Sequence, residues 1–229
     1  MSKKIYPYVE DEEFLEKVKV VLDTVSRSSE NIEDTIHSNV VDPFSALFDS
    51  VAQDISYKDW ILQEKNRQLQ KTFQNYIGYF HQDILGLVNG WDNPGIGGGY
   101  DIENKKKKII AEIKNKHNTL NAASGDSTYE KLSKFLEKDK PGFTAYVVFV
   151  LPKNKNRFNK PFSPSGKEVR DDIRQVDGAT FYEMVTGDKE ALKKLFESIP
   201  EAVEKIRGRK NFKTKTKDFQ DLFIRAYGE

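Results

Sequence analysis

Residues 143–151 read FTAYVVFVL, an apolar run broken only by Thr144 and made mostly of β-branched and aromatic side chains. It is too short to span a membrane, which takes about 20 apolar residues. It is also too unbroken for a strand with one wet face, which would alternate. It describes a central strand buried on both sides, so other elements must cover each face of its sheet. The rest of the chain offers helices for this. Phe14, Leu15, Val18, Val21, Leu22 and Val25 have helical spacing across residues 10–25. Asp42-Pro43 opens a second helix, with Asp42 as N-cap and Pro43 at the first helical position, ending near Ile55. Ser56 caps a third, from Tyr57 to about Val88. Residues 26–42 are polar and aperiodic, a loop or a short helical piece. Further helices are predicted at 127–139, 180–186, Asp188 to about Ile206, and 216–227, with a short strand at Ile173–Val176. That order is α/β, a central mixed β-sheet flanked by helices with a helical N-terminal part. Residues 1–56 are expected to pack as a helical region on a core of 57–229, in one continuous domain.

Composition narrows the chemistry. The chain has no cysteine, which excludes disulfides, zinc–thiolate sites and thiol catalysis. It has three histidines, so a metal here should be hard and oxygen-bound. No run of about 18 apolar residues exists, and MSKKIYPYVEDEE has no apolar signal core. A cytoplasmic protein without a membrane partner is expected. The net charge of +1 conceals a division: residues 1–60 carry 6 Lys and Arg against 13 Asp and Glu, and residues 61–229 carry 31 against 23. The second part has a basic excess suited to a polyanion.

The stretch YDIENKKKKIIAEIKNKHNT, residues 100–119, carries the most chemistry. It reads as a strand over Tyr100–Glu103, a turn at Asn104–Lys107 and a second strand over Lys108–Lys116. Alternation puts Ile110, Glu112, Lys114 and Lys116 on one face, and Ile109, Ala111 and Ile113 on the other, apolar face. The hairpin returns Asp101 beside Glu112 and Lys114 at a sheet edge. Two adjacent carboxylates resist joint ionisation unless a cation sits between them. Mg²⁺ suits that place, because it binds through one or two carboxylates together with waters and phosphate oxygens. Lys114 would hold the attacking water or the charged phosphate. The same triplet also describes an exposed, ion-paired strand face. The glycines of NGWDNPGIGGG, residues 89–99, lack a Gly-Lys-Ser/Thr ending and precede a strand, so they form a connector and not a phosphate loop.

Asp101 followed by Glu112-x-Lys114 resembles the PD-(D/E)XK nuclease motif. Five ordered blocks are more specific: VDPFSALFD (41–49), GYFHQDILG (78–86), IIAEIKNKHNT (109–119), KPFSPSG (160–166) and DGATFYEMVTG (177–187). Together they resemble type II restriction endonucleases of the SinI-like group, which recognise GGNCC or GGWCC sites. The resemblance spans about residues 40–190. One departure is that the proline of the motif name is missing, since Tyr100 precedes Asp101. The resemblance implies a restriction-endonuclease-like fold, Mg²⁺ dependence, cleavage of double-stranded DNA, a homodimer, a bacterial or archaeal host, and a separate cognate DNA methyltransferase. Symmetry supports the dimer, because a near-palindromic target offers each subunit the same half-site and two strands need two active sites. A structure-specific repair nuclease of the same fold and a catalytically inactive DNA-binding module are the other functions such a chain can have.

With the resemblance, Asp101 and Glu112 become metal ligands, joined by the Ile113 carbonyl, and Lys114 becomes the catalytic base or charge stabiliser. Glu64, on the long helix, becomes a fourth catalytic candidate. For DNA contact, Asn75 and Gln82 share nearly one face of that helix with His81 close by. Lys116, His117, Asn118 and Thr119 follow the catalytic strand, with lysine suited to guanine and asparagine to adenine or phosphate. Lys153, Lys155, Arg157, Lys160, Lys167 and Arg170 form a basic loop interleaved with Phe158 and Phe162, and Arg170 and Arg174 are guanine candidates. In FYEMVTG, Phe181, Met184 and Val185 read as core, with Gly187 as a helix C-cap.

Overall fold

The computed structural model describes residues 3–30, 41–95, 97–164, 166–208 and 216–228. In chain order its elements are α1 (Asp11–Glu30), α2 (Pro43–Gln53), α3 (Tyr57–Gly86), β1 (Ile102–Asn104), β2 (Ile109–Lys116), α4 (Ala122–Lys134), β3 (Thr144–Leu151), β4 (Asn159–Pro161), β5 (Ile173–Asp177), α5 (Gly178–Thr186), α6 (Ala191–Arg207) and α7 (Thr216–Tyr227). A 3₁₀ turn (His117–Thr119) follows β2, and a π-turn (Phe135–Asp139) ends α4. Residues 1–18 and 78–229 form one compact unit, and 19–77 form another.

In the larger unit the five strands lie in the order β1-β2-β3-β5-β4. β2, β3 and β5 run parallel, and β1 and β4 flank them antiparallel. This is the expected mixed α/β sheet. β3 is its centre, with Ala145 through Val150 buried, because α4 covers one face and α5 the other. On the α4 side, Ile110, Ala145, Val147, Phe149 and Ile173 pack with Tyr129, Leu132 and Leu136. On the α5 side, Tyr146 and Trp91 meet Phe181. α5 starts in close contact with β3. A Cβ on Gly178 would lie 2.4 Å from the Val150 carbonyl oxygen, so only glycine fits there. Asp177 caps that helix through the Thr180 amide, and its other oxygen accepts from the Phe158 amide at 2.6 Å. Gly187 ends the helix at φ 81°, as read from the sequence.

The sequence reading differs from the structure in four places. β2 is an inner strand, not an edge, and α4 roofs the face that carries Glu112. α4 begins at Ala122, five residues before the predicted start, because Asn121 and Ser124 form a reciprocal capping box. The basic loop contains β4, a three-residue strand held by β5. α1 continues to Glu30, while the rest of the aperiodic 26–42 stretch falls mostly on 31–40, outside the described residues.

The smaller unit contains α2. Asp42 caps it as expected, accepting from the Phe44 amide at 3.0 Å and the Ser45 hydroxyl at 2.7 Å. Trp60 Nε1 donates to Asp49 at 3.0 Å. A polar cavity of about 740 Å³ lies among Asp42, Asp49, Trp60, Glu64, Arg67 and Lys71. Among the described residues, no helix is long and apolar enough to cross a membrane.

Candidate active site

Hairpin pairing builds the acid cluster. The Asp101 amide donates to the Ala111 carbonyl at 2.9 Å, which extends the β1–β2 ladder by one rung. The Asp101 side chain then turns back across β2, where Oδ2 accepts from the Ile113 amide at 2.6 Å. One residue earlier on β2, Glu112 is only 8% exposed. Its Oε1 accepts from Lys114 Nζ at 2.8 Å, and its Oε2 accepts from Lys131 Nζ at 2.6 Å. Lys131 lies on α4 and has no signal in the sequence, because 19 residues separate it from its partner.

The two acids are held differently. Burial raises Asp101 to about 6, with a further push from the Glu112 charge; the Ile113 amide and both lysines oppose the rise. Burial also pushes Glu112 up, but the Lys114 and Lys131 ammonium groups outweigh it and leave Glu112 below its ordinary value. Burial and mutual repulsion oppose Asp101's charge, the condition under which a bound cation is favoured. No group of three or more acidic or histidine side chains with metal-site geometry exists among the described residues. Asp101 and Glu112, with the Ile113 carbonyl beside them, are hard oxygen donors that could hold a divalent ion. Such donors would suit Mg²⁺, an ion that binds through one or two carboxylates together with waters and phosphate oxygens.

The other predicted residues fall into three groups. Lys116, His117, Asn118 and Thr119 continue from β2 at the carboxyl end of the parallel strands, where Lys116 pairs with Leu151. The three turn residues are exposed, and the Thr119 hydroxyl donates to the Lys116 carbonyl. Lys153 and Lys155 leave β3 at this same end and are exposed. Exposed Lys160 lies on β4, with Nζ over the Phe158 ring at 5.7 Å. This is the carboxyl end of the parallel strands, the end at which open α/β sheets generally bind ligands.

The arginines are more constrained. Arg157 donates to Glu183 and to the Lys189 carbonyl. Arg170 is bidentate to Asp172 and also reaches Glu137 and Ser133. Arg174 binds the side chain and backbone of Asn159. The third group lies on α3, which crosses both units. Glu64 and Asn75 belong to the smaller unit and Gln82 to the larger. Glu64 is held by Arg67 and Gln68, and the Arg67 hydrogen bond lowers its pKa. His81 Nδ1 lies 2.7 Å from the Tyr182 hydroxyl, and burial lowers its pKa to about 4.

The Eco47II restriction endonuclease family model matches residues 6–207. The type II restriction enzyme Eco47II of Escherichia coli is 39% identical over 235 residues, covering 96% of this chain and 98% of that protein. The type II restriction enzyme Sau96I of Staphylococcus aureus is 30% identical over 215 residues, covering 89% of this chain and 82% of that protein. No solved structure matches the chain. Since the matched region includes the hairpin, the sheet and the helices that cover it, the chain belongs to the Eco47II family of type II restriction endonucleases.

Proposed function

We propose that this restriction endonuclease hydrolyses phosphodiester bonds of double-stranded DNA at GGNCC-type sites, with Mg²⁺ held by Asp101, Glu112 and the Ile113 carbonyl. The observation that carries this reading is the convergence of Asp101, Glu112 and Lys114 below the carboxyl end of the parallel strands. Mg²⁺ supplies positive charge for the acid pair and the phosphate, and makes water a better nucleophile. The protein positions the reacting groups. The Ile113 amide fixes the Asp101 carboxylate, Glu112 fixes the Lys114 ammonium, and Lys114 offsets negative charge as water adds across one P–O bond. The five sequence blocks support the GGNCC-type target. The test is to digest a fully sequenced plasmid with Mg²⁺ and map the ends. Fragments ending within GGNCC sites support the reading, and fragments confined to GGWCC narrow the central base. A smear supports a structure-specific nuclease instead. An intact plasmid with a retained gel shift leaves only a binding module.

Lys116, Asn118, Lys153, Lys155 and Lys160 are the proposed DNA contacts at this end. Replacing Lys153, Lys155 and Lys160 together with glutamine should weaken binding about equally on all sequences. It should also reduce the slope of log affinity against log salt by about 3, roughly one per phosphate contact. An unchanged slope removes the loop from the interface.

A homodimer fits the symmetry of the target, and α2 offers a surface for it. Phe44, Leu47, Phe48 and Val51 share one helical face and are 71%, 62%, 72% and 72% exposed. Tyr57 adds to this apolar surface at 69%. At about 100 Å² or more for each large side chain, the patch approaches roughly 500 Å² per copy, a substantial part of the ~800 Å² per partner of a stable interface. A second copy related by a two-fold axis would cover it with the same patch. Phe48→Asp should sediment as a monomer where the wild type sediments as a dimer; a variant that stays dimeric places the interface elsewhere. The partner in the host is a methyltransferase acting on the same site, not a subunit, and the proposed setting is the bacterial or archaeal cytoplasm.

A further inference from the structure

Glu112 has an ammonium group on each oxygen. Lys114 takes Oε1 and Lys131 takes Oε2, at 2.8 and 2.6 Å. A carboxylate offered to a metal ion is thus already neutralised, and the two lysines that do this are unlike. Lys114 stands two residues from Glu112 on the same strand, with its side chain 24% exposed. Lys131 reaches across from α4, with its side chain 39% exposed. The backbone of α4 is fixed by the Asn121–Ser124 capping box and by Leu132 and Tyr129 in the core. The Lys131 side chain can therefore leave while the helix stays.

We infer that Lys131 is a placeholder cation, one that neutralises Glu112 in the metal-free protein and is displaced from it by the incoming divalent ion. A divalent ion and an ammonium group cannot share one carboxylate oxygen without strong repulsion. Of the two lysines, the one that is more exposed and anchored on another element gives way at lower cost. Lys131 thereby holds Glu112 in place before the ion arrives, and it weakens the ion's affinity by competing for Oε2. This rests on the reading of Asp101 and Glu112 as the metal site.

The test is calorimetric titration of Ca²⁺ into the DNA-free, full-length protein at about pH 8, where carboxylates are ionised. Ca²⁺ is used to separate binding from turnover. Lys131→Met should bind Ca²⁺ about two- to fivefold more tightly than the wild type, the scale of a lost, partly exposed ion-pair competitor. Lys131→Arg keeps the competing charge and should stay close to the wild type. Lys131→Gln should tighten binding in the same direction as Met, and it covers the case in which Met disturbs the fold. Unchanged or weaker binding in the folded Met and Gln variants overturns the inference, since a merely structural lysine would loosen the site on removal. Glu112→Gln separates the two levels. If it binds Ca²⁺ like the wild type, the metal-site reading fails; if it loses Ca²⁺ while Lys131→Met is unchanged, only the placeholder role fails.

Discussion

Asp101→Asn is expected to lower DNA cleavage by on the order of a thousandfold or more while leaving DNA binding intact or tighter. The carboxylate would be lost as a metal ligand, and with it a negative charge that repels phosphate. The same substitution should stabilise the metal-free protein at neutral pH. In the fold, burial and the Glu112 charge raise the Asp101 carboxyl from 3.8 to about 6. Below about pH 4, folded and unfolded chains both hold the proton, and the group contributes nothing. Between about pH 4 and 6 the unfolded chain releases it first, so stability falls as pH rises. Above about 6 the penalty is complete, on the order of 2–3 kcal/mol. The neutral asparagine side chain of the variant carries no such penalty. Metal-free melting curves of the two proteins should therefore coincide near pH 4 and separate by several degrees at pH 7.5, with the variant higher. Equal melting temperatures across that range would mean that Asp101 is not held charged against its surroundings. Undiminished cutting would remove it from the site.

Lys114→Met is expected to lower cleavage by about two to three orders of magnitude through kcat, with Ca²⁺ binding retained. Lys114 is not a metal donor. Its ammonium lies 2.8 Å from Glu112 Oε1, and the proposed role is to serve the attacking water or the charge on the phosphate. Glu112 keeps Lys131 as a partner in this variant, so the acid pair survives. The contrast with Asp101→Asn is the informative part: one variant loses the ion, the other loses rate with the ion bound. Loss of Ca²⁺ binding in Lys114→Met would mean that this lysine organises the acids and takes no part in the reaction.

What could be read from the sequence was set by short-range chemistry. Asp42 and Pro43 announce a helix because the cap closes within three residues. The apolar run 143–151 identifies the central strand because no other place in a globular fold accepts it. The acid pair could be read because a hairpin returns the chain on itself. What the sequence hid depends on distant partners. Residues 122–126, AASGD, look like a loop by composition but begin α4, because Asn121 and Ser124 satisfy its first turn. β4 contains Pro161 and exists only because β5 pairs with it. Alternation placed Glu112 and Ile110 on one face but could not say that α4 covers it, nor that Lys131 comes with α4. The positive charges of the basic loop were visible, yet the anchoring of Arg157 to Glu183 and of Arg170 to Asp172 and Glu137 was not.

The central claim is that Asp101 and Glu112 together hold the ion that cuts DNA. The most direct test is an anomalous difference map from crystals of the protein with its DNA target and Mn²⁺ in place of Mg²⁺. The expected result is a peak within coordination distance of both carboxylates and of a DNA phosphate oxygen. A peak elsewhere, for instance among Asp42, Asp49 and Glu64 in the smaller unit, with Glu112 still paired to both lysines, would contradict it.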